Sequence, residues 1–343
     1  MGGIGNTLMA TPLIAATRKL YPNAQIDLLT TPAAAELLST NPNLSNVLAD
    51  QSASQKGVFS YWWLVKQIRE TRYDAALATL NAHLSKFATR IILGRIPIRI
   101  MHEYAFKSYD DFSSAYNHVV TRPRGRHDAA CNCDLLSELS GEICTAGPLE
   151  LHLNNRMRTS ALNLLEDHAL DSQRKTIALC PGSSGWMSFK RWPSESAMNL
   201  VQRLLENNTK PNVVVLFGPE EKRIMVEWVN RFADTKLILL SISSLRLLAA
   251  VIERMDVVVA NDSLPMHMSA ALQRPVVALF GPTDPRHTGP WQSVASVLSG
   301  DAEYAPYYEL PYPYDPAQFP DVMNLISVDQ VYAKILGYVG TST

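Results

Sequence analysis

Short apolar runs alternate with amphipathic stretches along the chain. In the first half this pattern predicts three strands, at 25–30, 45–49 and 74–80. Apolar residues at helical spacing predict helices at 32–38, at 58–71 and near 83–93. Strands that alternate with helices build parallel sheets, so we expect this half to consist of βαβ units.

The second half repeats the alternation more clearly. It predicts five strands, at 176–180, 212–217, 236–240, 256–260 and 275–280. Helices are predicted between them at 193–206, at 243–254 and near 265–272. Several of these strands end in Gly, Pro or Asp, and a parallel sheet presents the loops that follow its strands to ligands.

The two halves predict an α/β fold with two Rossmann-like domains. We place an N-terminal domain at 1–160 and a C-terminal domain at 170–325, with the boundary in a polar helix near 154–175. Residues 326–343 carry apolar side chains at helical spacing. We expect this last helix to pack back on the N-terminal domain.

A Gly-rich turn stands at the start of the chain, where a strand normally comes first. Gly2-Gly3-Ile4-Gly5 has nothing apolar before it, although doubly wound domains open with a strand that feeds their first turn. Either the start codon is assigned too late or the sheet is built without that strand. We favour the first explanation and expect upstream codons for about five apolar residues, a normal strand length.

The amino-acid composition and the net charge exclude several classes of protein. The 343 residues are 47% hydrophobic and 18% charged, which allows two cores and excludes global disorder. A net charge of -1 argues against a broad nucleic-acid surface. No apolar run spans a bilayer and no secretory signal is recognisable, so we expect a cytoplasmic protein. The cysteines, at 131, 133, 144 and 180, fit no zinc spacing and are expected to be free thiols.

Three segments carry candidate chemistry, and the first is Gly5-Asn6, which runs into a helix containing Thr11-Pro12. Glycines let the backbone come close to a ligand. The free N–H groups at a helix start attract anionic or polar groups. Such turns also occur purely as structure.

The second segment follows the strand at 176–180. Ser183 and Ser184 can donate hydrogen bonds to phosphate oxygens, and Lys190 can act as a mobile point charge on a diphosphate. A helix predicted to start near Pro193 follows, with proline well placed in its first turn. The alternative is a solvated loop with an incidental lysine.

The third segment, Asn261 to His267, follows the strand at 256–260, and the loop 281–285 follows the next strand. Asp262 and Ser263 stand where side chains cap a helix, and capping alone would explain them. A lone histidine such as His267 is usually a satisfied structural residue. Polar loops after successive strands nevertheless converge at one sheet edge, which favours a shared site.

Together the three segments resemble glycosyltransferase family 9, the bacterial lipopolysaccharide heptosyltransferases. That family shows a Gly-Asp…Thr-Pro opening, a Pro-Gly…Lys-x-Trp-Pro segment and an Asn-Asp-Ser-Gly-Pro-x-His…Phe-Gly-Pro-Thr-Asp-Pro run. The matching segments, in order, are Gly5-Asn6…Thr11-Pro12, Pro181-Gly182…Lys190-Arg191-Trp192-Pro193, Asn261-Asp262-Ser263-Leu264-Pro265-Met266-His267 and Phe280-Gly281-Pro282-Thr283-Asp284-Pro285. The resemblance covers almost the whole chain.

The resemblance implies a GT-B fold, in which two Rossmann-like domains with parallel sheets face each other across a cleft. It implies an inverting sugar transfer without a metal or a cofactor, from a nucleotide sugar that is commonly ADP-heptose. The implied acceptor is a lipid A–core or related glycan. Carried over by position, the donor side comprises Ser183, Ser184 and Lys190 at the phosphates, Asp262, Ser263 and His267 along the phosphates and sugar, and Glu221 near the nucleoside; the acceptor side comprises Gly5, Asn6 and Thr11.

Two positions depart from the family pattern. The family's general base is the Asp of the opening motif, and here that position is Asn6, whose carboxamide has no useful basicity. Another group of the first half must then serve as the base, or the protein is catalytically weakened; the alternatives are Glu103, His83 and His127. Leu264 stands where the family has Gly, which narrows the pocket or shifts the loop.

The residues and the resemblance together predict an in-line displacement at the anomeric carbon. Lys190 and the amides near Ser183 and Ser263 are expected to stabilise the departing diphosphate. Two alternatives stay open. One is a catalytically weakened nucleotide-sugar binding protein, which Asn6 favours, and the other is a GT-B-like sugar-nucleotide epimerase.

A basic stretch in the first half suggests a place for a phosphorylated acceptor or anionic lipid. It comprises Arg90, Arg95, Arg99, Lys107, Arg122, Arg124 and Arg126. Such charges attract anionic surfaces, so a peripheral contact at the inner face of the cytoplasmic membrane is one expectation. Scattered solubilising charge explains the same residues equally well.

Overall fold

The structure is a computed structural model that describes residues 4–51, 57–79, 85–104, 113–168, 170–300 and 321–340. The chain divides into two compact units, residues 1–152 and residues 153–343. Each unit has its own parallel strands and its own buried apolar clusters.

The N-terminal unit alternates strands and helices, as the apolar pattern predicts. Its described strands are β1 (Asp27–Thr30), β2 (Asn46–Ala49), β3 (Ala75–Ala78), β4 (Ile98–Tyr104) and β5 (His118–Arg122). Its described helices are α1 (Ile4–Leu8), α2 (Thr11–Leu20), α3 (Pro32–Leu38), α4 (Gly57–Thr71), α5 (Ser85–Leu93) and α6 (Asp128–Ser140).

The strands of the N-terminal unit form two separate parallel sheets. One contains β1 and β2, with Asp27 opposite Asn46. The other has the order β3-β4-β5, with Ala75 opposite Ile98. Within the described residues, β1 and β3 each pair along one edge only, and three of the four residues in each strand are only half-buried.

The core of this unit lies where α2 and α6 cover the β3-β4-β5 sheet. Leu13 of α2, Ile100 of β4 and Leu135 of α6 belong to one buried cluster. Full burial of an aliphatic side chain contributes about 1.5–3 kcal/mol, so this cluster holds the two helices on the sheet. The Asn132 amide also donates to the Met9 carbonyl at 3.0 Å and ties α6 to the turn before α2.

The C-terminal unit has the same alternation with longer and more buried strands. Its described strands are β6 (Thr176–Cys180), β7 (Asn212–Phe217), β8 (Ile238–Ser241), β9 (Val257–Asn261), β10 (Val276–Phe280) and β11 (Ala295–Ser299). Its described helices are α7 (Asn155–Glu166), α8 (Ser194–Leu205), α9 (Lys222–Arg231), α10 (Leu245–Ile252), α11 (Leu264–Ala271), α12 (Pro285–Thr288) and α13 (Val328–Val339).

One parallel sheet of six strands runs through the C-terminal unit, in the order β8-β7-β6-β9-β10-β11. Counted along the chain from β6, this is the 3-2-1-4-5-6 order of the Rossmann fold. Every residue of β6, β9 and β10 is buried. Nearly continuous Val, Ile, Leu and Ala runs suit strands that helices cover on both faces.

The boundary between the units corrects the sequence-based division. We expected it inside the polar helix near 154–175, but it falls between His152 and Leu153. Helix α7 belongs wholly to the C-terminal unit, where it packs on α10. Arg158 of α7 adds a paired contact with the Glu253 carboxylate, at 2.8 and 2.9 Å.

The last helix also lies elsewhere than expected. We expected residues 326–343 to pack back on the N-terminal domain, but Val331 and Ile335 of α13 are fully buried in the C-terminal core. Ser327 and Gln330 form a capping box that starts the helix. The apolar stripe of α13 covers α8 and the β9-β10-β11 side of the same sheet.

Two expectations from composition can be compared with the described residues. All four cysteines are free thiols, three of them buried. None of the described helices is long and apolar enough to cross a membrane.

Candidate functional site

The candidate site lies at the carboxyl ends of β6 and β9, which are neighbours in the sheet. The chain leaves β6 toward β7 on one side and leaves β9 toward β10 on the other. The loops that follow the two strands therefore diverge and leave a crevice, the usual place for a ligand in such sheets. Both sequence-predicted donor segments, 181–193 and 261–267, begin here.

Asn261, the last residue of β9, holds the two loops together. Its side-chain amide donates to the carbonyls of Pro181 and Gly182, at 2.9 and 3.1 Å. Its side-chain oxygen accepts from the Trp192 backbone at 3.0 Å. The residue is buried and all three bonds join segments far apart in sequence, so Asn261 fixes the shape of the loop after β6.

Lys190 and Asp262 form a buried ion pair in this crevice. The Lys190 Nζ donates to the Asp262 carboxylate at 2.7 Å, and the side chains are 9% and 5% exposed. The Thr283 hydroxyl donates to the same carboxylate oxygen at 2.8 Å. Burial opposes ionisation of Asp262, but the Lys190 ammonium and the hydrogen bonds hold its pKa below the ordinary value.

The pairing corrects one sequence-based expectation. We expected Lys190 to be a mobile point charge, and the structure anchors its amine. An unpaired buried ammonium is very unfavourable, so burial requires a partner such as Asp262. An ammonium has three donors and can hold Asp262 and a ligand oxygen at the same time.

His267 lies one turn into α11, close enough to Asp262 and Lys190 for their charges to affect it. Burial lowers its pKa to about 4, so the imidazole is neutral near pH 7. Its Nδ1 is buried and has no hydrogen-bond partner among the described residues. A ligand hydroxyl or phosphate oxygen is the kind of group that would satisfy this atom.

Ser263 occupies the N-cap position of α11 without capping it. Its hydroxyl donates to the Asn261 carbonyl at 3.2 Å and accepts nothing from the first turn of the helix. No side-chain cap thus satisfies the first-turn amides of α11. Such amides, together with the helix dipole, favour a negative charge at this end.

The two serines of the 181–193 loop have different surroundings. The Ser183 hydroxyl donates to the Met187 carbonyl at 3.0 Å and accepts from the Arg191 guanidinium at 3.1 Å. Arg191 also donates to the Ser183 carbonyl at 2.8 Å. Ser183 therefore shapes the loop with Arg191, while the neighbouring Ser184 is exposed.

Glu221 reaches this edge from the turn after β7. Its carboxylate accepts from the Gly218 backbone at 2.8 Å and packs so closely on Gly182 that any side chain at 182 would overlap it. Burial raises the pKa of Glu221, and the Gly218 hydrogen bond opposes that rise. A Cβ at position 182 would therefore displace the Glu221 carboxylate, and glycine leaves room for it.

The acceptor-side residues lie in the N-terminal unit. Gly5 and Asn6 are half-buried in α1. Thr11 is fully buried, and its hydroxyl donates to the Leu8 carbonyl at 2.7 Å and accepts from the Glu150 backbone at 2.9 Å. The donor and one of the two acceptor lone pairs of the Thr11 hydroxyl are used inside the N-terminal unit. Its expected place on the acceptor side stays a prediction.

The alternatives to Asn6 as the general base differ in how exposed their side chains are. Glu103 is exposed near the carboxyl end of β4. His127 is buried, and its Nδ1 accepts from the Ala129 backbone at 3.1 Å as the N-cap of α6. That bond occupies the lone pair that a base would use. His83 lies outside the described residues.

Most of the predicted basic stretch is bound internally. Arg90 is fully buried and forms two 2.9 Å hydrogen bonds with the Asp50 carboxylate. Arg122 is buried against Asp128, and Arg126 pairs with Asp134 at 2.7 Å. Arg99 donates to three backbone carbonyls, those of Ile96, Pro97 and Ala115. The stretch is therefore largely structural; Lys107 lies outside the described residues.

Three contributors to the site were not predicted from the sequence. They are Asn261 as a loop tie, Thr283 as a partner of Asp262, and Arg191 as a partner of Ser183. The sequence did carry a signal for Asn261, because this polar residue ends an otherwise apolar strand. The partners of Asp262 and Ser183 depend on side-chain directions that spacing does not give.

The chain matches known proteins over most of its length. A family model described as "Glycosyltransferase family 9 (heptosyltransferase)" matches residues 61–316. Lipopolysaccharide heptosyltransferase 3 of Escherichia coli K12 is 24% identical over 315 residues, which cover 88% of this chain and 87% of that protein. Lipooligosaccharide heptosyltransferase 2 of Haemophilus influenzae is 26% identical, with 86% and 85% covered.

Solved structures share the fold. A family 9 glycosyl transferase from Veillonella parvula has a TM-score of 0.79 at 22% identity, covering 99% of this chain and 95% of that chain. The E. coli ADP-heptose lps heptosyltransferase II has a TM-score of 0.76 at 21% identity, covering 99% and 96%. The α/β architecture with parallel sheets and these likenesses establish the GT-B fold.

Proposed function

Because the chain belongs to glycosyltransferase family 9, we propose that this glycosyltransferase moves a heptose from ADP-heptose onto a lipopolysaccharide-core glycan. One observation carries the proposal. A buried lysine–aspartate pair, Lys190–Asp262, stands at the carboxyl ends of β6 and β9 beside the uncapped start of α11. Such an arrangement suits a diphosphate, which needs both a cation and oriented amides.

The proposal assigns the diphosphate to Lys190 and to the amides near Ser263 and Leu264. Asp262 and Thr283 fix the amine in place, so little reorganisation is needed when charge develops on the leaving group. Exposed Ser184 adds a hydroxyl, and Ser183 acts through the loop geometry that it shares with Arg191. In this assignment no metal is required to neutralise the departing charge.

The proposal places the nucleoside near Glu221 and the sugar near His267. Glu221 follows β7, the second strand of the Rossmann order, where an acidic side chain commonly accepts from ribose hydroxyls. One of its oxygens already accepts from Gly218, which orients the carboxylate. The neutral imidazole of His267 offers its unpartnered Nδ1 to the sugar or a phosphate oxygen.

The reaction is then a direct displacement with inversion. An acceptor hydroxyl oxygen attacks the anomeric carbon as the bond from that carbon to the β-phosphate oxygen breaks. ADP leaves with the bonding electron pair, and the hydroxyl proton passes to a base. Lys190 holds the growing negative charge on the diphosphate, which is the charge that the transition state develops.

The acceptor side of the proposal rests on the N-terminal unit. Asn6 orients the acceptor through its amide but takes no proton. Among the described alternatives, Glu103 is an exposed carboxylate at the carboxyl end of β4, so we assign it the role of base. A lipid A–core acceptor places the protein at the inner membrane face through a peripheral contact.

Calorimetry followed by a transfer assay tests the proposal. The protein is titrated with ADP, with ADP-heptose and with UDP as a control, and is then incubated with donor and a heptose-deficient lipid A–core acceptor. We expect binding of both ADP ligands and an acceptor with the mass of one added heptose. Absence of ADP binding contradicts the donor site. Binding without transfer identifies a nucleotide-sugar binding protein, and donor conversion without acceptor identifies an epimerase.

A further inference from the structure

Helix α4 presents large aromatic side chains to solvent. Phe59 is 85% exposed, and Trp62 and Trp63 are 56% and 54% exposed. A contiguous group of exposed aromatic residues marks a contact with another molecule or with a membrane. Leu64 and Ile68 are buried and hold the opposite side of the helix on its own unit. Packing within the unit therefore does not explain the exposed aromatic residues.

The same side of α4 continues from aromatic residues into cations. Residues three, four and seven positions apart lie on one side of a helix, and Trp62, Lys66 and Arg69 have this spacing. Lys66 forms an exposed pair with Glu70 at 3.7 Å, and Arg69 is exposed as well. We call this side of the helix the α4 face; it comprises Phe59, Trp62, Trp63, Lys66 and Arg69.

Arg69 also lines a cavity together with two other arginines. The cavity has a volume of about 470 Å³, and its wall includes Arg69, Arg72 and Arg95, with Asp74 as its acidic residue. None of the three guanidinium groups forms a hydrogen bond or an ion pair with a described residue. Arg90 of the same unit, in contrast, is paired with a buried carboxylate. Three unpaired cations around one cavity attract an anion.

The backbone at two of these arginines supports a role for their side chains. Arg72 directly follows α4 and Arg95 lies two residues after α5, with φ angles of 56° and 59°. Helices commonly end in a residue of this left-handed conformation, and glycine adopts it without strain. Arginine at both positions keeps a guanidinium group at the cavity, although glycine would relieve the strain.

This combination of side chains fits an anionic membrane surface. Tryptophan favours the level of the lipid headgroups, because its ring is apolar and its N–H is polar. Lysine and arginine attract anionic lipids, and a guanidinium binds phosphate oxygens in pairs. The cations of the α4 face and the cavity outnumber the carboxylates there, Glu70 and Asp74, although the whole chain has a net charge of -1.

The α4 face lies on the side of the unit to which we assign the acceptor. Helix α4 leads from β2 to β3, so its first half lies toward the carboxyl ends of these parallel strands. Helix α1 stands at the same edge, because the Thr7 and Thr30 hydroxyls lie 3.4 Å apart at the carboxyl end of β1. The exposed aromatic residues therefore share an edge with Asn6 and Glu103.

We propose that the α4 face and the three-arginine cavity dock the N-terminal unit on an anionic lipid membrane. Trp62 and Trp63 enter the headgroup layer, and Arg69, Arg72 and Arg95 hold lipid phosphates. The inference rests on the proposed function, since a lipid-linked acceptor gives the docking its use. It moves the membrane contact away from the basic stretch between residues 90 and 126, which is largely bound internally.

Two double variants test the α4 face and the cavity separately. Trp62→Gln with Trp63→Gln removes the aromatic rings and keeps good helix formers. Arg72→Gly with Arg95→Gly removes two cations and relieves the backbone strain, so the melting temperature should stay at or above that of the wild type. A loss of vesicle binding in this second variant is then not a loss of folding.

The C-terminal unit supplies matched controls. Val226→Gln with Val229→Gln removes two exposed apolar side chains from α9. Arg156→Gln with Arg254→Gln removes two exposed arginines. These controls change the composition and charge of the protein much as the test variants do, but they leave the α4 face and the cavity intact.

Sedimentation with lipid vesicles is the main readout. We expect the wild type to bind vesicles of phosphatidylglycerol and phosphatidylcholine more tightly than vesicles of phosphatidylcholine alone. The arginine variant should bind the mixed vesicles about 10- to 30-fold more weakly and depend less on salt. The tryptophan variant should bind both kinds of vesicle about tenfold more weakly. Both controls should stay within about twofold of the wild type.

Transfer assays separate this inference from the proposed function. With lipid A–core embedded in the mixed vesicles, both test variants should be about tenfold slower than the wild type, because docking concentrates the enzyme at its acceptor. With the deacylated, water-soluble core they should be as fast as the wild type. Vesicle binding that the variants weaken, without transfer to either acceptor, contradicts the proposed function and supports the docking surface.

Three outcomes overturn the inference. The first is a wild type that does not bind the mixed vesicles, although it transfers heptose to the deacylated core. The second is vesicle binding that the test variants weaken no more than the controls do. The third is a dimer in light scattering that the tryptophan variant dissociates, without any vesicle binding, which would assign the α4 face to a second copy of the chain.

Discussion

The two units differ in how their parallel strands are joined, because the described strands form one six-stranded sheet in the C-terminal unit and two separate sheets in the N-terminal unit. In the C-terminal unit β6 fills the central position, and β6 and β9 are buried along their whole length. In the N-terminal unit a cavity of about 630 Å³, which we call the slot, is lined by β1 and β3, and three of the four residues in each of these strands are half-buried. The difference teaches that a central strand both completes the core and aligns the loops at its carboxyl end.

The candidate donor side, after β6 and β9, and the candidate acceptor side, at α1, differ in how firmly their residues are held. Around β6 and β9, Asn261, Lys190 and Asp262 are fixed by hydrogen bonds between loops. In the N-terminal unit, Asn6 lies in the five-residue helix α1 and lines the slot. The donor half is therefore preorganised in this structure.

The largest expected effect is on the C-terminal unit, where one lysine–aspartate pair lies at the amino ends of β6 and β9 and another lies at their carboxyl ends. We expect Lys190→Ala at the carboxyl ends to lower kcat about 10²- to 10³-fold, because a preorganised donor to the leaving group is lost. Lys175→Ala, which breaks the exposed Lys175–Asp256 pair at the amino ends, should leave kcat within twofold. Steady-state transfer kinetics measure both.

Lys190→Ala also leaves Asp262 buried without its cation, which costs about 3–5 kcal/mol of stability. A double variant, Lys190→Met with Asp262→Leu, should recover much of the melting temperature but none of the turnover. Near-normal turnover in a folded Lys190 variant would contradict the assignment of Lys190 to the departing diphosphate.

The next effect addresses the N-terminal unit. We expect Glu103→Gln to lower kcat about a hundredfold, because the carboxylate assigned as the base is lost. Asn6→Asp is the matched variant and should be no faster than the wild type, because Glu103 already takes the acceptor proton. If Asn6→Asp instead raises kcat while Glu103→Gln leaves it unchanged, the assignment of the base to Glu103 is wrong.

A third prediction compares one buried histidine from each unit. Burial lowers the pKa of His102 on β4 and of His267 on α11 to about 4. Below pH 6.5 the unfolded chain binds a proton at each position and the native protein does not, so the free energy of unfolding falls as pH drops from 6.5 to 4. The loss is about 3 kcal/mol for each histidine.

Denaturant unfolding at a series of pH values measures this slope. His267→Gln should flatten it for the C-terminal unit and His102→Gln for the N-terminal unit. A slope that survives both substitutions would show that other groups carry the pH dependence.

The smallest effect compares packing on β7 of the C-terminal unit with packing on β1 of the N-terminal unit. Leu216 of β7 is 3% exposed, whereas Leu29 of β1 lines the slot and is half-buried. We expect Leu216→Ala to lower the free energy of unfolding by about 3 kcal/mol and Leu29→Ala by about 1 kcal/mol. Equal losses in chemical denaturation would show that the slot is packed as tightly as the C-terminal core.

Strands with continuous apolar runs were predictable from the sequence. The spans 176–180 and 212–217 match β6 and β7 to the residue, because a run of four or five apolar positions ends in Pro-Gly or Gly-Pro. Strands β4 and β5 were not predicted. They carry Arg99, His102 and His118, which interrupt the apolar pattern, although pairing in the sheet accommodates them.

The sequence predicted which loops form the candidate site, but it did not predict the side-chain contacts between those loops. Strand order alone brings the segments after β6 and β9 together, so Lys190 and Asp262 could be assigned to one edge. Their 2.7 Å contact spans 72 residues of sequence and depends on burial, which spacing does not reveal. Thr11 shows the opposite case, because a motif position proved to serve the internal hydrogen bonds of the N-terminal unit.

The two lysine–aspartate pairs at the opposite ends of β6 and β9 should respond differently to ionic strength. Mobile salt ions screen the Lys175–Asp256 pair, whose lysine side chain is 58% exposed, but they do not enter the volume around Lys190 and Asp262. The Lys190–Asp262 ion pair at the carboxyl ends should therefore persist in concentrated salt that weakens the Lys175–Asp256 ion pair at the amino ends. High ionic strength would leave the positions of Lys190 and Asp262, as an incoming nucleotide meets them, unchanged.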